Sequence, residues 1–344
     1  MFKSFVSNVF HMPKLPASMK VAFVRETGPA ANIQIGRWPV PECGPADVLI
    51  KASALAVNHV DLFVRSGAYR TPLPMPFVIG RDCVGQVAST GSGVEGFSVG
   101  DFVWCNSLGH EGRQGSFSEY VQAPADRVYP LPAGVDPQRA VAVLHTGAAA
   151  WLGLFREGRL QGGDTVFIAG AAGGVGGAAV QMARAIGARV LATASAEDAH
   201  WVASLGAEHV LDYRDPDLTA RLLDLAAGRV DIYWDQSGRH DFNQALQMLA
   251  PGGRVIVSAG LDATPALPIG ELYTRDASLR GFALSNASKK DLARAARTIN
   301  AHLESGRLEV RIAKTLPLDE AAQAHRLLEA GSLSKLRGRV VVLP

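Results

Sequence analysis

Apolar and polar positions alternate along this chain with two different periods. From residue 20 to about 145 the apolar runs are short and broken by glycine and proline. KVAFVRE, DVLIKASAL, VGQVASTG, DFVWCNS and SFSEYVQAP each offer a few strand-forming residues between turn signals. This spacing predicts an irregular β-rich domain. Beyond it the rhythm lengthens. DTVFIAG (164–170) is an apolar strand, GAAVQMARAIG (177–187) a helix stopped at Gly187, and RVLATA (189–194) a second strand. EDAHWVASLG, LTARLLDLAAG and FNQALQMLAPGG then alternate as helices with the strands HVLDY, VDIYWDQ and RVIVSAG. Strands separated by helices of about ten residues predict βαβ units and a parallel sheet. SLRGFAL (278–284) adds a sixth strand. The remainder holds one long helical stretch, KKDLARAARTINAHLESG, a second, LDEAAQAHRLLEAG, and a closing strand, GRVVVLP.

At 344 residues the chain has room for about two cores. Its 48% hydrophobic and 19% charged residues suit compact domains rather than disorder. The formal charge of +2 is spread without basic runs, which argues against a nucleic-acid partner. No apolar run approaches the roughly 18 residues a membrane span requires. The cysteines Cys43, Cys83 and Cys105 are odd in number, far apart and without a CxxC. That pattern points to a reducing, cytoplasmic setting and excludes a four-cysteine zinc lobe. Residues 1–19, MFKSFVSNVFHMPKLPASM, carry Lys3 and Lys14 and no acid. They lack both arginine and a secretory apolar core, so a loose extension is expected there.

Two stretches carry candidate chemistry. In CNSLGHEGR (105–113), Cys105, His110 and Glu111 are zinc-capable donors. A catalytic zinc needs three protein ligands that converge and leave one position open, which this segment alone does not supply. AGAAGGVGGAAV (169–180) is more specific because of where it stands, after the first strand and opening the first helix of a βαβ unit. Gly173 and Gly176 occupy the second and third glycine places of G-x-G-x-x-G, with Ala171 at the first. Gly173 lets backbone approach a pyrophosphate and Gly176 lets the helix pack on the strand. The amides of Gly174 and Val175 then face the anion, with the positive helix end behind them. A dinucleotide is expected. The second strand ends in Thr193-Ala194-Ser195, where an NAD site normally carries an acid for the ribose hydroxyls. Small uncharged residues leave room for a 2′-phosphate, so NADPH is the expected cofactor. Glu197 and Asp198 follow closely; as the acidic first turn of a helix they are expected to face solvent.

NHVDLFVRSGAY (58–69), VIGRDCVGQVASTGSGVEGFSVGD (78–101), GSFSEYV (115–121) and the glycine loop GAAGGVGGAAVQMARAIGARV occur in order. Together they resemble the medium-chain dehydrogenase/reductases, in their zinc-independent quinone oxidoreductase (zeta-crystallin-like) branch. The resemblance runs from residue 19 to residue 344. It implies an α/β protein with a GroES-like β-rich catalytic domain (20–145 and 286–344). That domain is split around a Rossmann domain with a doubly wound parallel sheet (146–285), and the active site lies in the cleft between them. The superfamily's zinc-ligand positions fall at Asn58, Arg81 and Val143, so no metal is expected. The Gly-His-Glu at 109–111 lies about thirty residues too late and reads as a solvated loop over the cleft.

The resemblance also implies site roles. Asn58 corresponds to the active-site asparagine on the nicotinamide side, and Tyr69 lines the substrate cleft; both are candidate catalytic residues. Candidate cofactor contacts are Asn58, Thr146, Ala172, Gly173, Gly174, Val175, Gly176, Ser195, Tyr213, Ser237 and Gly260. Tyr213 matches the family's phosphate-contacting tyrosine, and Arg214 beside it adds charge. Asp198 stands about where relatives place a phosphate-binding lysine. Phe63 and Ala149 lack hydroxyls common in the family, which leaves His145 and Thr146 as polar groups nearby. Asp61 and Arg65, at i and i+4, are expected to pair on one helix face. Arg81 and Asp82 are expected to form a charge pair in place of the metal.

With no metal to polarise a carbonyl, alcohol oxidation is not expected. A quinone or an activated C=C already stabilises added electrons. The protein then supplies mainly proximity and orientation, worth roughly 7–11 kcal/mol of barrier. These readings lead to an NADPH-dependent quinone oxidoreductase. An NADPH-dependent enone or enal reductase on the same scaffold is the alternative. A nucleotide-binding structural or regulatory protein with little turnover is the alternative of another class. The resemblance implies a homodimer or homotetramer, with SLRGFAL as a candidate pairing edge.

Overall fold

The computed structural model describes residues 15–227, 229–331 and 336–344. A six-stranded parallel sheet has the order His209–Asp212, Arg189–Ala194, Thr165–Ala169, Val230–Asp235, Leu249–Val257, Ser278–Gly281. Numbered along the chain this is 3-2-1-4-5-6, the doubly wound arrangement. Phe167, Leu191, Tyr233 and Val255 are buried on one face, and Val166, Val190, Ile232 and Ile256 on the other. Helices covering both faces require such uninterrupted apolar strands. The strand order reverses between Thr165–Ala169 and Val230–Asp235. The crevice beyond their carboxyl ends is where this architecture binds ligands.

The remaining strands form a largely antiparallel seven-stranded sheet. Its order is Ile312–Pro317, Arg339–Leu343, Asp47–Ala56, Asp82–Thr90, Phe102–Cys105, Tyr129–Pro130, with Tyr120–Pro124 paired to Asp47–Ala56. Gln34–Pro39, Ser18–Val24 and Phe77–Val78 make a three-stranded sheet that shares its core. The chain therefore leaves the seven-stranded sheet, builds the parallel one, and returns to pair Val342 with Leu55.

The helix Leu144–Trp151 joins the two. Ala148 and Ala150 are buried in a core that runs from Trp104 and Tyr129 on one side to Val166 and Trp234 on the other. In the continuation of that helix, a Cβ on Gly153 would sit 2.1 Å from the Trp234 ring, so only glycine fits. Trp104 Nε1 also donates to Asn300 Oδ1, 2.9 Å away on the helix Lys289–Glu304. The back of the crevice is thus packed solid.

Two local expectations change. Met19, inside the segment expected to be loose, is already in strand register with Trp38 and buried; residues 1–14 lie outside the described residues. Glycine content suggested a solvated loop at 105–113, yet Cys105 to His110 are buried and only Glu111 and Gly112 are exposed. The loop folds back on itself, with Gly109 N donating to Gln114 O at 3.1 Å and Leu108 N to Arg81 O at 3.4 Å. Among the described residues no helix is long and apolar enough to cross a membrane.

Candidate functional site

A cleft of about 690 Å³ opens at the reversal point. Asn58, Tyr69, His145, Thr146, the loop from Gly173 to Gly176, Ser237 and Gly260 all line it, and Phe63, Val257, Leu261, Phe282 and Leu284 supply apolar wall. Ala172 faces a second cavity, of about 310 Å³, across the loop. Ser195 and Tyr213 line neither. They sit at the ends of the second and third strands, Tyr213 about half exposed with the Arg214 guanidinium 5.0 Å over its ring.

The loop is shaped by backbone crowding. Its helix runs Gly174–Ala185, three residues earlier than the apolar period suggested, with Gly173 as N-cap. A Cβ on Gly176 would stand 2.5 Å from Gly170 O and 2.8 Å from Ala171 Cα, backbone atoms that cannot yield. Gly173 would meet only Gly170 O, at 3.3 Å. Its bare face leaves the helix N-terminus open to an anion. Thr146 supports the loop from behind, its Cγ2 lying 2.8 Å from where Gly174 would carry a Cβ.

Asn58 follows the strand Asp47–Ala56 and precedes the helix His59–Ser66 in extended backbone. It is both a helix cap and a cleft residue. Its backbone N donates to Asp61 Oδ2 at 2.8 Å. Its side-chain amide is held at both ends: Nδ2 donates to Asp82 Oδ2 at 2.9 Å, and Oδ1 accepts from Nη2 of Arg339. Sequence reasoning missed Arg339, which reads there only as the start of an apolar strand. Its Nε donates to Ala142 O and its Nη2 to Val57 O, each at 3.1 Å. Nη1 makes no hydrogen bond among the described residues and lies 3.3 Å from where Gly174 would carry a Cβ. A buried cation therefore connects Asn58 with the glycine loop.

The charges around it are removed from water. Burial pushes the Asp61 carboxyl up to about 6, against the pull of Arg81. Burial, and next the neighbouring Asp61, raise Asp82 further. His145 opens partly onto the cleft while its Nδ1 is buried without a partner. Burial first, then Arg81 and Arg339, hold its pKa well below the usual value. It is a neutral imidazole at pH 7, with one nitrogen to donate and one to accept.

Two expected pairs are not made. Arg65 turns from Asp61 to Glu329 on the helix Ala321–Glu329 and to the carbonyl of Gly28. Asp61 is drawn inward to Asn58 N and lies 3.8 Å from Arg81. Arg81 and Asp82 likewise take separate partners, Asp61 for the arginine and Asn58 for the acid. Zinc does not fit. The three positions that the resemblance assigns to zinc ligands hold an amide engaged at both ends, a cation and a valine without a donor atom. Cys105 is fully buried opposite Cys83, and His110 packs beside the Tyr69 ring at 6.0 Å between centroids. Among the described residues no three His, Cys, Asp or Glu side chains gather as a metal site.

A β-rich domain that closes over the switch point of a doubly wound sheet defines a class of oxidoreductase. Residues 44–133 match the alcohol dehydrogenase GroES-like domain, and residues 174–301 match the zinc-binding dehydrogenase family. The chain belongs to the medium-chain dehydrogenase/reductase superfamily. Quinone oxidoreductase of Mus musculus is 32% identical over 298 residues, 86% of this chain and 88% of its own. Among solved structures, an NAD-dependent alcohol dehydrogenase matches with a TM-score of 0.85 at 32% identity, covering 95% of this chain and 100% of its own. Escherichia coli quinone oxidoreductase complexed with NADPH matches with a TM-score of 0.83 at 25% identity, covering 94% and 100%.

Proposed function

We propose that the protein transfers hydride from NADPH to a quinone and needs no metal to do so. One observation carries this reading: the anion-binding loop, the doubly held Asn58 and an aromatic-walled space of about 690 Å³ meet at one place. The similar structures differ in cofactor, NAD in one and NADPH in the other. The uncharged Ser195 at the strand end supports NADPH here, and so does Asp198, which is already engaged by Arg311 at 2.9 Å.

The residues present fit such a cofactor. The amides of Gly174 and Val175, with Nη1 of Arg339, would hold its pyrophosphate. Ser237 and Gly260 lie toward the nicotinamide end. Gly260 has φ +80°, and a Cβ there would strike Gly238 O at 2.8 Å. Asp82 and Arg339 fix which way the Asn58 amide faces in the cleft. When bound, NADPH supplies the hydride. The flat acceptor lies between Phe63 and Phe282, neutral His145 donates to its oxygen, and Tyr69 or water delivers the proton that completes the hydroquinone. The same reading gives a catalytic domain of residues 20–145 and 286–344 around a cofactor domain of 146–285. It also gives a cytoplasmic homodimer or homotetramer, paired along Ser278–Gly281 at the sheet edge.

The test is NADPH oxidation with a quinone panel and an enone panel side by side. Quinone turnover at least tenfold better in kcat/KM supports the reading. Preferred turnover of enones moves the function to double-bond reduction, and measurable NADPH binding without turnover of either removes it.

A further inference from the structure

The cavity of about 310 Å³ lies across the glycine loop from the cleft, lined by Gly173, Asp198, Trp201, Arg311 and Arg337 among others. Asp198 caps the helix Ala199–Ser204 at the end of the second strand, where an acid would ordinarily face a ribose. Here it is occupied. Its Oδ1 accepts from Arg311 Nη1 at 2.9 Å, and its Oδ2 accepts from Ser195 Oγ at 3.3 Å. Arg311 is fixed from a second side, its guanidinium 4.3 Å over the Trp201 ring. Arg337 is held more loosely. Its Nη1 is 4.0 Å from Asp198 Oδ1, beyond hydrogen-bond distance, and its side chain is 50% exposed. Glu197 has its carboxyl pKa lowered first by a hydrogen bond with Ser195, then by its own backbone amide, with smaller pulls from Arg214 and Arg337. Arg214 Nη2 lies 3.8 Å from it. Ser195 thus bonds two carboxylates, Asp198 and Glu197, each faced in turn by guanidinium groups, and two of these, Arg311 and Arg337, come from a stretch more than a hundred residues further on.

We propose that Arg337, supported by Arg311, is the specificity determinant for a ribose 2′-phosphate, and that Asp198 tethers these arginines instead of binding ribose. This rests on the NADPH reading above. A phosphate beside Ser195 Oγ takes Arg337 from its long contact with Asp198 and gains a charge-assisted bond. Arg311 stays on Asp198 and cancels a carboxylate that would otherwise repel the phosphate. Cofactor choice then lies in the C-terminal return of the chain as well as in the second strand.

The experiment measures binding of adenosine 2′,5′-bisphosphate and of 5′-AMP by calorimetry, for wild type, Arg337→Gln, Arg311→Gln and Asp198→Asn. Wild type should hold the bisphosphate on the order of 10- to 100-fold more tightly. Arg337→Gln should reduce that preference to about threefold or less with 5′-AMP binding unchanged, which also reports an intact fold. Asp198→Asn should keep or increase the preference. An undiminished preference in both arginine variants overturns the proposal, and so does weaker 5′-AMP binding in Asp198→Asn. Wild type without any preference would instead strike down the NADPH reading itself.

Discussion

Replacing Arg339 by methionine removes a guanidinium and keeps most of its buried volume. The variant loses hydrogen bonds to the carbonyls of Ala142 and Val57 and to Asn58 Oδ1, together with the cation that faces Asp82 and Asp61. Breaking a buried ion pair from one side costs roughly 3–5 kcal/mol. A folded protein has about 5–15 kcal/mol to lose, so the variant folds but is weakened. Asp82 sets the pH dependence. Its carboxyl is raised by burial and pulled back by Arg339, so loss of the arginine raises it further. A carboxyl whose folded pKa exceeds its unfolded one binds more protons in the folded state, and stability falls as pH rises between the two values. The deficit of Arg339→Met should therefore grow as pH rises above the ordinary carboxylate range, and adding Asp82→Asn should reduce that growth, the remainder coming from Asp61, which Arg339 also pulls down. Turnover suffers as well. The loss of one charged hydrogen bond to the cofactor, about 1.5–3 kcal/mol, and of the Asn58 anchor should lower kcat/KM for NADPH by about 100-fold. Urea unfolding at two pH values and steady-state kinetics measure both effects. A wild-type kcat/KM with a pH-independent stability difference would refute the bridging role.

Four further outcomes are expected. Gly176→Ala forces a Cβ to within 2.5 Å of Gly170 O, so the loop must open and NADPH affinity, read by titration, should fall by at least about tenfold. Ser195→Asp should move the NADPH/NADH ratio of kcat/KM toward NADH; an unchanged ratio would show that the strand end does not meet the ribose. His325, 0% exposed with neither ring nitrogen bonded, is pushed by burial and then Arg65 from 6.5 down to about 3. A depressed folded pKa means stability present above 6.5 and lost as pH falls toward 3, by up to about 1.4 kcal/mol per unit. His325→Leu should flatten that acid slope in urea titrations. EDTA should leave turnover intact, with no stoichiometric zinc by elemental analysis; one equivalent of zinc, lost together with activity, would overturn the metal-free reading.

The parts of the site that are local in sequence were legible. The loop from Gly170 to Gly176 is legible because strand, turn and helix start follow one another and Gly173 and Gly176 each answer a backbone contact within six residues. Asn58 was visible through the motif around it. Arg339 was not, because an arginine before four apolar residues looks like any strand end, and its partners lie at residues 57, 58 and 142. The Asp61–Arg65 pairing failed for a related reason. Helical spacing makes such a pair feasible, yet Glu329 and Arg81 offered partners that no local rule registers. At Cys105 to His110 the glycines suggested solvent, whereas pairing with the strand Asp82–Thr90 covers Cys105 and the loop folds in behind it. Sequence patterns describe neighbours along the chain, and this cleft is assembled from its two distant arms.

That separation has a consequence in time. Asn58 and Arg339 are 281 residues apart. A ribosome adding about 5–20 residues per second needs roughly 14–56 s to travel between them. During that interval the six-stranded sheet emerges and can fold with its glycine loop ready. The guanidinium that locks Asn58 has not yet been made, and Asp82 sits beside an unanchored amide. The strand Asp47–Ala56, already paired with Tyr120–Pro124 over Asp47–Lys51, meanwhile waits with its Leu55–Ala56 end open until Arg339–Leu343 arrives. A nascent chain can thus acquire the capacity to hold a nucleotide well before it can react one, and the two capacities are joined only when the last strand docks.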